Sequence, residues 1–221
     1  MSIVPISTGN PMDSNMWLVS GSSSVLIDTG TGVLDSLSGE SYADAVARSI
    51  RSVIGGGGLS AIILTHAHID HAGGAAGLSK AFGCPIYLGM AEEYVLRTGD
   101  RDASVADTFR LPFEPADCTG VPEGHVFDLG KHRLRVIDTP GHTVGGICIF
   151  DEVTGALFSG DTLFASGIGR TDLPGGSSRK LVESLAKLRN VNITSVYPGH
   201  GPSTNNGKLA LKQALNMVGY L

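Results

Sequence analysis

Three of the chain's seven histidines fall within six residues, in the run HAHIDH at positions 66–71. A short apolar stretch at 61–64 precedes this run and is typical of a buried strand. The Ala-Gly-Gly sequence at 72–74 follows it and begins a helical pattern. The run is therefore predicted to lie on a strand-to-helix loop, where polar side chains can converge outside the hydrophobic core.

The spacing within the run favours metal binding. Residues two apart in extended backbone point the same way, so His66 and His68 can reach one cation together. Asp70 and His71 are adjacent and diverge from that pair, which suits a second cation beside the first. Imidazole nitrogens with a carboxylate form a nitrogen and oxygen environment that matches Zn²⁺. The alternative, a set of surface histidines around a turn, explains a single histidine better than it explains this cluster.

Three further candidate ligands, His142, Asp161 and His200, each stand just past the carboxyl end of a predicted strand. Open α/β sheets place their sites at such strand ends, so we expect these side chains to join the first cluster. The total is then five histidines and two aspartates, enough for two metal ions with a shared carboxylate and open positions for water. The two remaining histidines, His125 and His132, are interpreted as ordinary surface or turn residues.

Short β-rich runs occur in two sets, and helical patterns follow or separate them. The predicted strands are 3–6, 16–20, 24–28 and 61–65 in the first set, and 133–138, 146–151, 156–160 and 194–197 in the second. The predicted helices are 41–54, 72–82, 90–97, 178–189 and 207–218. Ser41 is a plausible N-cap of the first helix, and Gly55 suits the left-handed residue that ends it. This order predicts an α/β fold in which two facing sheets are covered by helices, as one domain over residues 1–221.

Composition excludes several classes of function. The net charge of −5 offers no attraction to nucleic acid or to an anionic membrane. No P-loop and no G-x-S-x-G nucleophile motif occurs in the chain. The three cysteines form no C-x-x-C pair, and residues 1–20 lack the pattern of a secretion signal, so we expect free thiols and a cytoplasmic protein. A homodimer is a further expectation, although no apolar stripe in the sequence identifies its interface.

Four motifs together resemble the metallo-β-lactamase superfamily: HAHIDH at 66–71, TPGHT at 139–143, SGDT at 159–162 and PGHGP at 198–202. The stretch 159–176 is similar to the short hydroxyacylglutathione hydrolase (glyoxalase II-like) branch. The resemblance extends from about residue 15 to residue 200 and implies an αββα four-layer sandwich.

The same resemblance implies a role for each matching residue. It places His66, His68 and His142 on a first metal, and Asp70, His71 and His200 on a second. Asp161 would bridge the two metals, and Asp28 would orient a ligand histidine, a kind of contact worth about 10–100-fold in metal affinity or activity.

The implied activity is hydrolysis of a thioester of the hydroxyacylglutathione kind, or of a related acyl ester. A hydroxide between two divalent ions would attack the acyl carbonyl, and Asp70 would orient it and pass on its proton. Zinc is the expected metal, with iron or manganese as alternatives. A different activity of the same fold stays open, that of a mononuclear iron persulfide dioxygenase, which shares the Gly-Arg-Thr-Asp stretch at 169–172. A secreted β-lactamase and a non-catalytic metal module are both less well supported.

Substrate contacts are the least constrained part of the site. Longer glyoxalase II enzymes carry a C-terminal helical domain that contacts glutathione, and we expect no such domain in the 21 residues after His200. The segment 99–124 is instead interpreted as a substrate lid or wall, with Phe109, Arg110 and Phe113 as candidate contacts. The pair Arg170 and Asp172 is interpreted as a loop brace.

Overall fold

The computed structural model describes residues 3–34 and 39–220, and its first sheet has six strands. Neighbouring strands pair in chain order, antiparallel from β1 to β3 and parallel from β3 to β6. The strands are β1 (Ile3–Ile6), β2 (Met16–Ser20), β3 (Ser24–Ile27), β4 (Ala61–Ile63), β5 (Ile86–Gly89) and β6 (Thr119–Val121). The parallel half follows from helices inserted between strands, which a parallel connection requires.

The second sheet has five strands, in the order β13-β10-β9-β8-β7. All neighbours are antiparallel except β10 and β13, which run in parallel. Its strands are β7 (Val126–Asp128), β8 (Arg133–Asp138), β9 (Ile147–Asp151), β10 (Ala156–Gly160) and β13 (Ser195–Pro198), and β11 (Leu163–Phe164) with β12 (Gly167–Ile168) forms a separate small hairpin. With this pairing β8, β10 and β13 all point their carboxyl ends to one edge of the sandwich.

The described helices cover the outer faces of the two sheets. They are α1 (Tyr42–Val53), α2 (Ile69–Ala72), α3 (Ala75–Phe82), α4 (Glu93–Thr98), α5 (Ala106–Phe109), α6 (Ser178–Leu188) and α7 (Gly207–Met217), with a 3₁₀ turn at Met90–Glu92. As the sequence predicts, the Ser41 side chain accepts from the Asp44 amide at the start of α1. Gly55 has a φ of 66°, the left-handed conformation expected just after this helix.

Three apolar clusters divide the sandwich into four layers. Alternate side chains of one strand face opposite sides of a sheet, and β2 shows this directly. Its Leu18 packs toward the helices on the first sheet, whereas Val19 packs between the two sheets. On the second sheet Ile149 joins the cluster between the sheets, and Phe150 joins the cluster beneath α6 and α7. The predicted αββα fold is therefore confirmed.

The structure departs from the predicted elements mainly around the histidine run. Two helices take the place of the predicted helix at 72–82. The first, α2, contains Asp70 and His71, and the second, α3, begins at Ala75. Between them a side chain at Gly73 would place its Cβ 2.2 Å from the Thr31 carbonyl oxygen, so only glycine allows this close approach. Strands β5, β6 and β7 are absent from the predicted set.

Among residues 3–34 and 39–220, none of the helices combines the length and the apolar character that a membrane crossing demands.

Candidate metal centre

Seven polar side chains meet where strands of both sheets end. His66 and His68 follow β4, and Asp70 and His71 occupy the first turns of α2. His142 follows β8, Asp161 follows β10 directly and His200 follows β13. Their donor atoms form overlapping groups in which all atoms lie within 4.8 Å of one another. The structure thus brings together all seven residues that the sequence singles out as candidate ligands.

The first group consists of three buried histidines, His66, His68 and His142. The Nδ1 atom of His68 lies 3.1 Å from His66 Nε2 and 3.0 Å from His142 Nε2. Extended backbone at His68 (φ −63°, ψ 148°) explains why residues two apart turn their rings to one point. Three ring nitrogens at this spacing are a set of ligands for one cation.

The second group consists of Asp70, His71 and His200. The His200 Nε2 atom lies 2.9 Å from Asp70 Oδ2, and His71 Nε2 lies 3.8 Å from the same oxygen. This group is more open than the first, since the His200 side chain is 39% exposed while that of His71 is fully buried. The centre is therefore open to solvent on the His200 side.

The Asp161 carboxylate lies between the two groups. Its Oδ1 atom is 3.4 Å from His71 Nε2, and its Oδ2 atom is 3.6 Å from His142 Nε2 and 3.8 Å from His200 Nε2. One oxygen thus faces a histidine of the second group while the other faces histidines of both. This arrangement is what a carboxylate shared by two cations requires.

Hydrogen bonds outside the centre fix the protonated nitrogen of two rings. His142 Nδ1 lies 2.7 Å from the Arg170 carbonyl oxygen, which can only accept, so Nδ1 carries the proton. His71 Nδ1 lies 2.9 Å from Asp28 Oδ2 and donates to it in the same way. In the neutral form of each ring, Nε2 is then the unprotonated nitrogen and faces the centre, which is the form that binds a metal.

Asp28 occupies a strained position to make this contact. It is one of three described non-glycine residues with a positive φ, here 60°, and it is buried. Besides its bond from His71, its carboxylate accepts from the Thr65 amide at 2.8 Å and from the Thr65 hydroxyl at 2.9 Å. Such strain persists only where the surrounding structure holds it, and it concentrates at functional sites.

The chemistry of the donors fits divalent cations. Within the described part of the chain, His68 Nε2, His71 Nε2 and Asp161 Oδ1 are buried and make no hydrogen bond. Leaving buried polar atoms unpaired costs about 1–3 kcal/mol each, so retained ones call for an explanation. Two of the three, His71 Nε2 and Asp161 Oδ1, face the centre, where a cation would satisfy both.

The electrostatics of the metal-free protein also favour a cation. Burial lowers the pKa of His66 and of His68, the latter to about 3, so both rings are neutral ligands at neutral pH. Burial alone would also lower the pKa of His71, but the Asp28, Asp70 and Asp161 carboxylates raise it well above its usual value. Without a metal, a protonated His71 holds the positive charge that these carboxylates attract.

The structure corrects the interpretation of His132. This histidine is only 1% exposed, and its Nδ1 lies 2.6 Å from the buried Asp151 carboxylate. It is therefore a core residue in the turn between β7 and β8, not a surface residue. His125 is half-buried in the turn before β7, beside the rings of Tyr87 and Phe127.

The predicted lid at 99–124 has more structure than a loop. It contains α5 and the edge strand β6. Phe113 is 7% exposed and packs in the apolar cluster of the first sheet, so it is a core residue. Phe109 is 47% exposed and Arg110 is exposed, so both remain available to a substrate.

The remaining site interpretations concern braces and thiols. Arg170 and Asp172 form a two-contact ion pair at 2.7 Å on the surface, as expected of a loop brace. Cys84, Cys118 and Cys148 are free thiols, as predicted, and all three are buried.

Sequence reasoning missed two residues that support the centre. Thr65 bonds to Asp28 and approaches His66 Nδ1 at 3.1 Å, and Glu92 bonds to the amides of Ala67 and Gly145. The position of Thr65 directly before the histidine run was an available signal. Glu92 gave none, because a glutamate beside another glutamate in a helical pattern is usually exposed.

Comparison with known proteins finds similar proteins over most of the chain. Residues 9–200 match the family model of the metallo-beta-lactamase superfamily. A "Probable metallo-hydrolase" of Methanocaldococcus jannaschii is 33% identical over 199 residues, which cover 87% of this chain and 90% of that protein. A hydroxyacylglutathione hydrolase of Rhodospirillum rubrum is 40% identical over 151 residues, 68% of this chain but 51% of that protein.

Solved structures agree in fold. The BLEG-1 B3 metallo-beta-lactamase has a TM-score of 0.77 at 28% identity and covers 97% of this chain and 96% of its own. The protein TTHA1623, solved in a di-iron-bound form, has a TM-score of 0.75 at 32% identity, with 92% and 95% covered. ETHE1 from Myxococcus xanthus has a TM-score of 0.64 at 22% identity, with 99% and 90% covered, a likeness of fold alone.

Proposed function

The chain belongs to the metallo-beta-lactamase superfamily, and from this premise we propose that it is a dinuclear metal hydrolase acting on thioesters. The substrate class is a hydroxyacylglutathione-like thioester or a related acyl ester. A relative named hydroxyacylglutathione hydrolase is 40% identical over 151 residues, and another is named "Probable metallo-hydrolase". Both names support a hydrolytic reaction for this chain.

The observation that carries the proposal is the position of Asp161 between two groups of three donors. His66, His68 and His142 would hold one metal, and Asp70, His71 and His200 the other. A mononuclear centre needs only one such group, so a complete second group favours two metals. Asp28 would orient His71 through its 2.9 Å contact.

Two divalent ions, when bound, would supply an activated water at neutral pH and polarise the acyl carbonyl. The protein's own residues would then orient this water and accept its proton. Asp70 is suited to this, because its side chain is 22% exposed at the open side of the centre. Burial would raise the pKa of Asp70, but His71 and His200 bring it below its usual range, so the carboxylate is ionised and would be able to accept a hydrogen bond from the nucleophile.

The state of the three cysteines agrees with this scheme. All three cysteines are buried, and burial raises the pKa of the Cys148 thiol to about 11, which keeps it protonated. A thiolate leaving group needs no strong protein acid, so a thioester suits the centre better than an amide does. Phe109 and Arg110 are the proposed contacts to the rest of the substrate.

Zinc is the proposed metal. Five imidazoles and two carboxylates are ligands that zinc accepts readily, and iron and manganese accept the same set. The di-iron-bound form of a protein 32% identical to this chain makes iron the first alternative.

The proposal is tested on protein purified without added metal. Its metal content is measured by elemental analysis, and the same sample is assayed with S-lactoylglutathione. About two zinc ions per chain with thioester turnover would support the proposal. One iron per chain with oxygen uptake on glutathione persulfide would replace it with the dioxygenase activity. Hydrolysis of a β-lactam without thioester turnover would also contradict it.

A further inference from the structure

A buried glutamate outside the seven candidate ligands ties two of their loops together. Glu92 ends the 3₁₀ turn after β5 and is only 3% exposed. Its Oε2 atom accepts from the Ala67 amide at 3.1 Å, and its Oε1 atom accepts from the Gly145 amide at 2.9 Å. Both carboxylate oxygens are therefore used on backbone groups.

The two amides belong to the loops that carry the three-histidine group. Ala67 stands between His66 and His68, and Gly145 follows His142 by three residues. His66 and His68 extend from the first sheet, and His142 extends from the second. A single carboxylate thus links the two halves of one candidate metal site across the two sheets.

Close backbone packing fixes the carboxylate in this place. A Cβ at Gly145 would lie 2.7 Å from the Ala91 Cβ, and a Cβ at Gly89 would lie 2.2 Å from the Gly145 carbonyl oxygen. These two glycines let β5 and its 3₁₀ turn lie directly against the His142 loop. Glu92 therefore has little freedom to move away from its two amides.

The cost of burying this charge indicates a role beyond packing. Across residues 3–34 and 39–220 Glu92 forms no ion pair, and its two hydrogen bonds come from neutral backbone amides. A buried charge without a charged partner is costly, and an apolar residue would fill the space more cheaply. A carboxylate, however, offers two acceptors on a rigid plane, which fix the distance between two loops.

We propose that Glu92 is a positioning residue that sets the separation of His142 from His66 and His68 in the first metal site. The inference rests on the proposed metal centre. Supports of this kind are typically worth about 10–100-fold in metal affinity.

Two variants test the assignment, with Zn²⁺ and Co²⁺ as the probes. Glu92→Gln keeps the size but turns an amide NH₂ to one of the two backbone donors. Glu92→Asp keeps the charge but is too short to reach both amides. We expect each variant to lose about 10–100-fold in affinity for one of two metal equivalents in calorimetry, with an altered Co²⁺ absorption spectrum.

Asp151→Asn is the matched control. Asp151 is also a buried carboxylate that accepts from backbone amides, those of Arg133 at 3.1 Å and Val153 at 3.2 Å, but it stands at the far end of β9 from the His142 loop. We expect this variant to lose thermal stability while its metal affinities and Co²⁺ spectrum stay those of the wild type.

The outcomes distinguish a failure of the positioning role from a failure of the proposed metal centre. Wild-type protein that binds neither metal would overturn the proposed function. Wild-type binding of two equivalents, with Glu92 variants that bind equally and give the same spectrum, would overturn only the positioning role. If both Glu92 variants are unfolded, Glu92 is a requirement of the fold and the positioning role is likewise overturned.

Discussion

At the scale of single residues, Asp161 occupies the position on which the dinuclear account depends. Its two oxygens face histidines of both donor groups, and Oδ1 is buried without a hydrogen bond among the described residues. Burial would raise the pKa of Asp161, but His71, His200 and His142 lower it, so the carboxylate is ionised and ready for a cation. Loss of this side chain should therefore affect both metals.

We predict that Asp161→Ala lowers metal content below two ions per chain and abolishes thioester hydrolysis. The physical reason is the loss of a carboxylate that lies near histidines of both groups. Elemental analysis and a turnover assay on the same sample check this. His125→Ala serves as a control, because His125 lies outside all the donor groups. Full metal content and full activity in Asp161→Ala would contradict the bridging role.

Asp28→Asn tests the orientation of His71. The amide keeps the shape of the carboxylate but loses its negative charge, and an oxygen of that carboxylate accepts from His71 Nδ1 at 2.9 Å. We expect metal affinity or activity to fall about 10–100-fold, as is typical of a lost support to a ligand histidine. Calorimetric metal titration measures it, and unchanged affinity together with unchanged turnover would remove Asp28 from the account.

His132 and Asp151 give a pH prediction that is independent of the metals. Burial would raise the pKa of Asp151, but hydrogen bonds from Thr154, His132 and two backbone amides lower it. A lowered carboxyl pKa contributes stability above the unfolded value of about 3.9, and this stability is lost as pH falls through the folded value. Urea unfolding of metal-free wild type and Asp151→Asn should therefore differ clearly at pH 7 and converge toward pH 3. A constant difference between the two proteins would contradict this.

At the scale of elements, the strand ends were predictable and the short edge strands were not. Strands β2, β8 and β10 have the predicted bounds. Strands β2 and β10 are short, mainly apolar runs of the kind that forms buried strands, and β8 begins with alternating charged and apolar residues. Strand β6 is Thr-Gly-Val, and only its pairing with β5 makes it a strand. The burial of His132 was not predictable either, because its charged neighbours Lys131 and Arg133 favour an exposed position.

The segment 99–124 is best tested by two phenylalanines with opposite surroundings. Phe113→Ala should cost about 3–5 kcal/mol of stability, because the residue is buried in the core, and should leave the KM of folded protein unchanged. Phe109→Ala, with or without Arg110→Ala, should leave stability nearly unchanged and raise the KM for thioester several-fold. Denaturant unfolding and steady-state kinetics separate these effects. An unchanged KM in both surface variants would exclude the substrate-wall role of this segment.

At the scale of the whole molecule, the sandwich matters because it joins strand ends from both sheets at one edge. The spacing of the histidine run and the positions of the other ligands at strand ends predicted which seven side chains meet. The order of the elements and the resemblance predicted the layers, and the resemblance also predicted the supporting role of Asp28. Two other supports, the Arg170 carbonyl and Glu92, were not predictable, since they act through backbone contacts distant in sequence. A metal that spans both sheets should also stabilise the fold as a whole.

Removal of metal by a chelator should therefore lower the unfolding temperature. A ligand present at a thousand times its Kd stabilises the folded state by about 4 kcal/mol. The shift should be reversed by adding Zn²⁺ and should be smaller in Asp161→Ala. Identical melting of metal-free and metal-loaded wild type would show that the cluster does not bind the ion tightly.

The proposed dinuclear thioester hydrolase is tested most directly by a titration of metal-free protein with Zn²⁺ while S-lactoylglutathione hydrolysis is followed. We expect turnover to rise until two equivalents of zinc are bound per chain and then to stay constant. Maximal turnover at one equivalent, or no thioester turnover at any zinc content, would contradict a dinuclear thioester hydrolase.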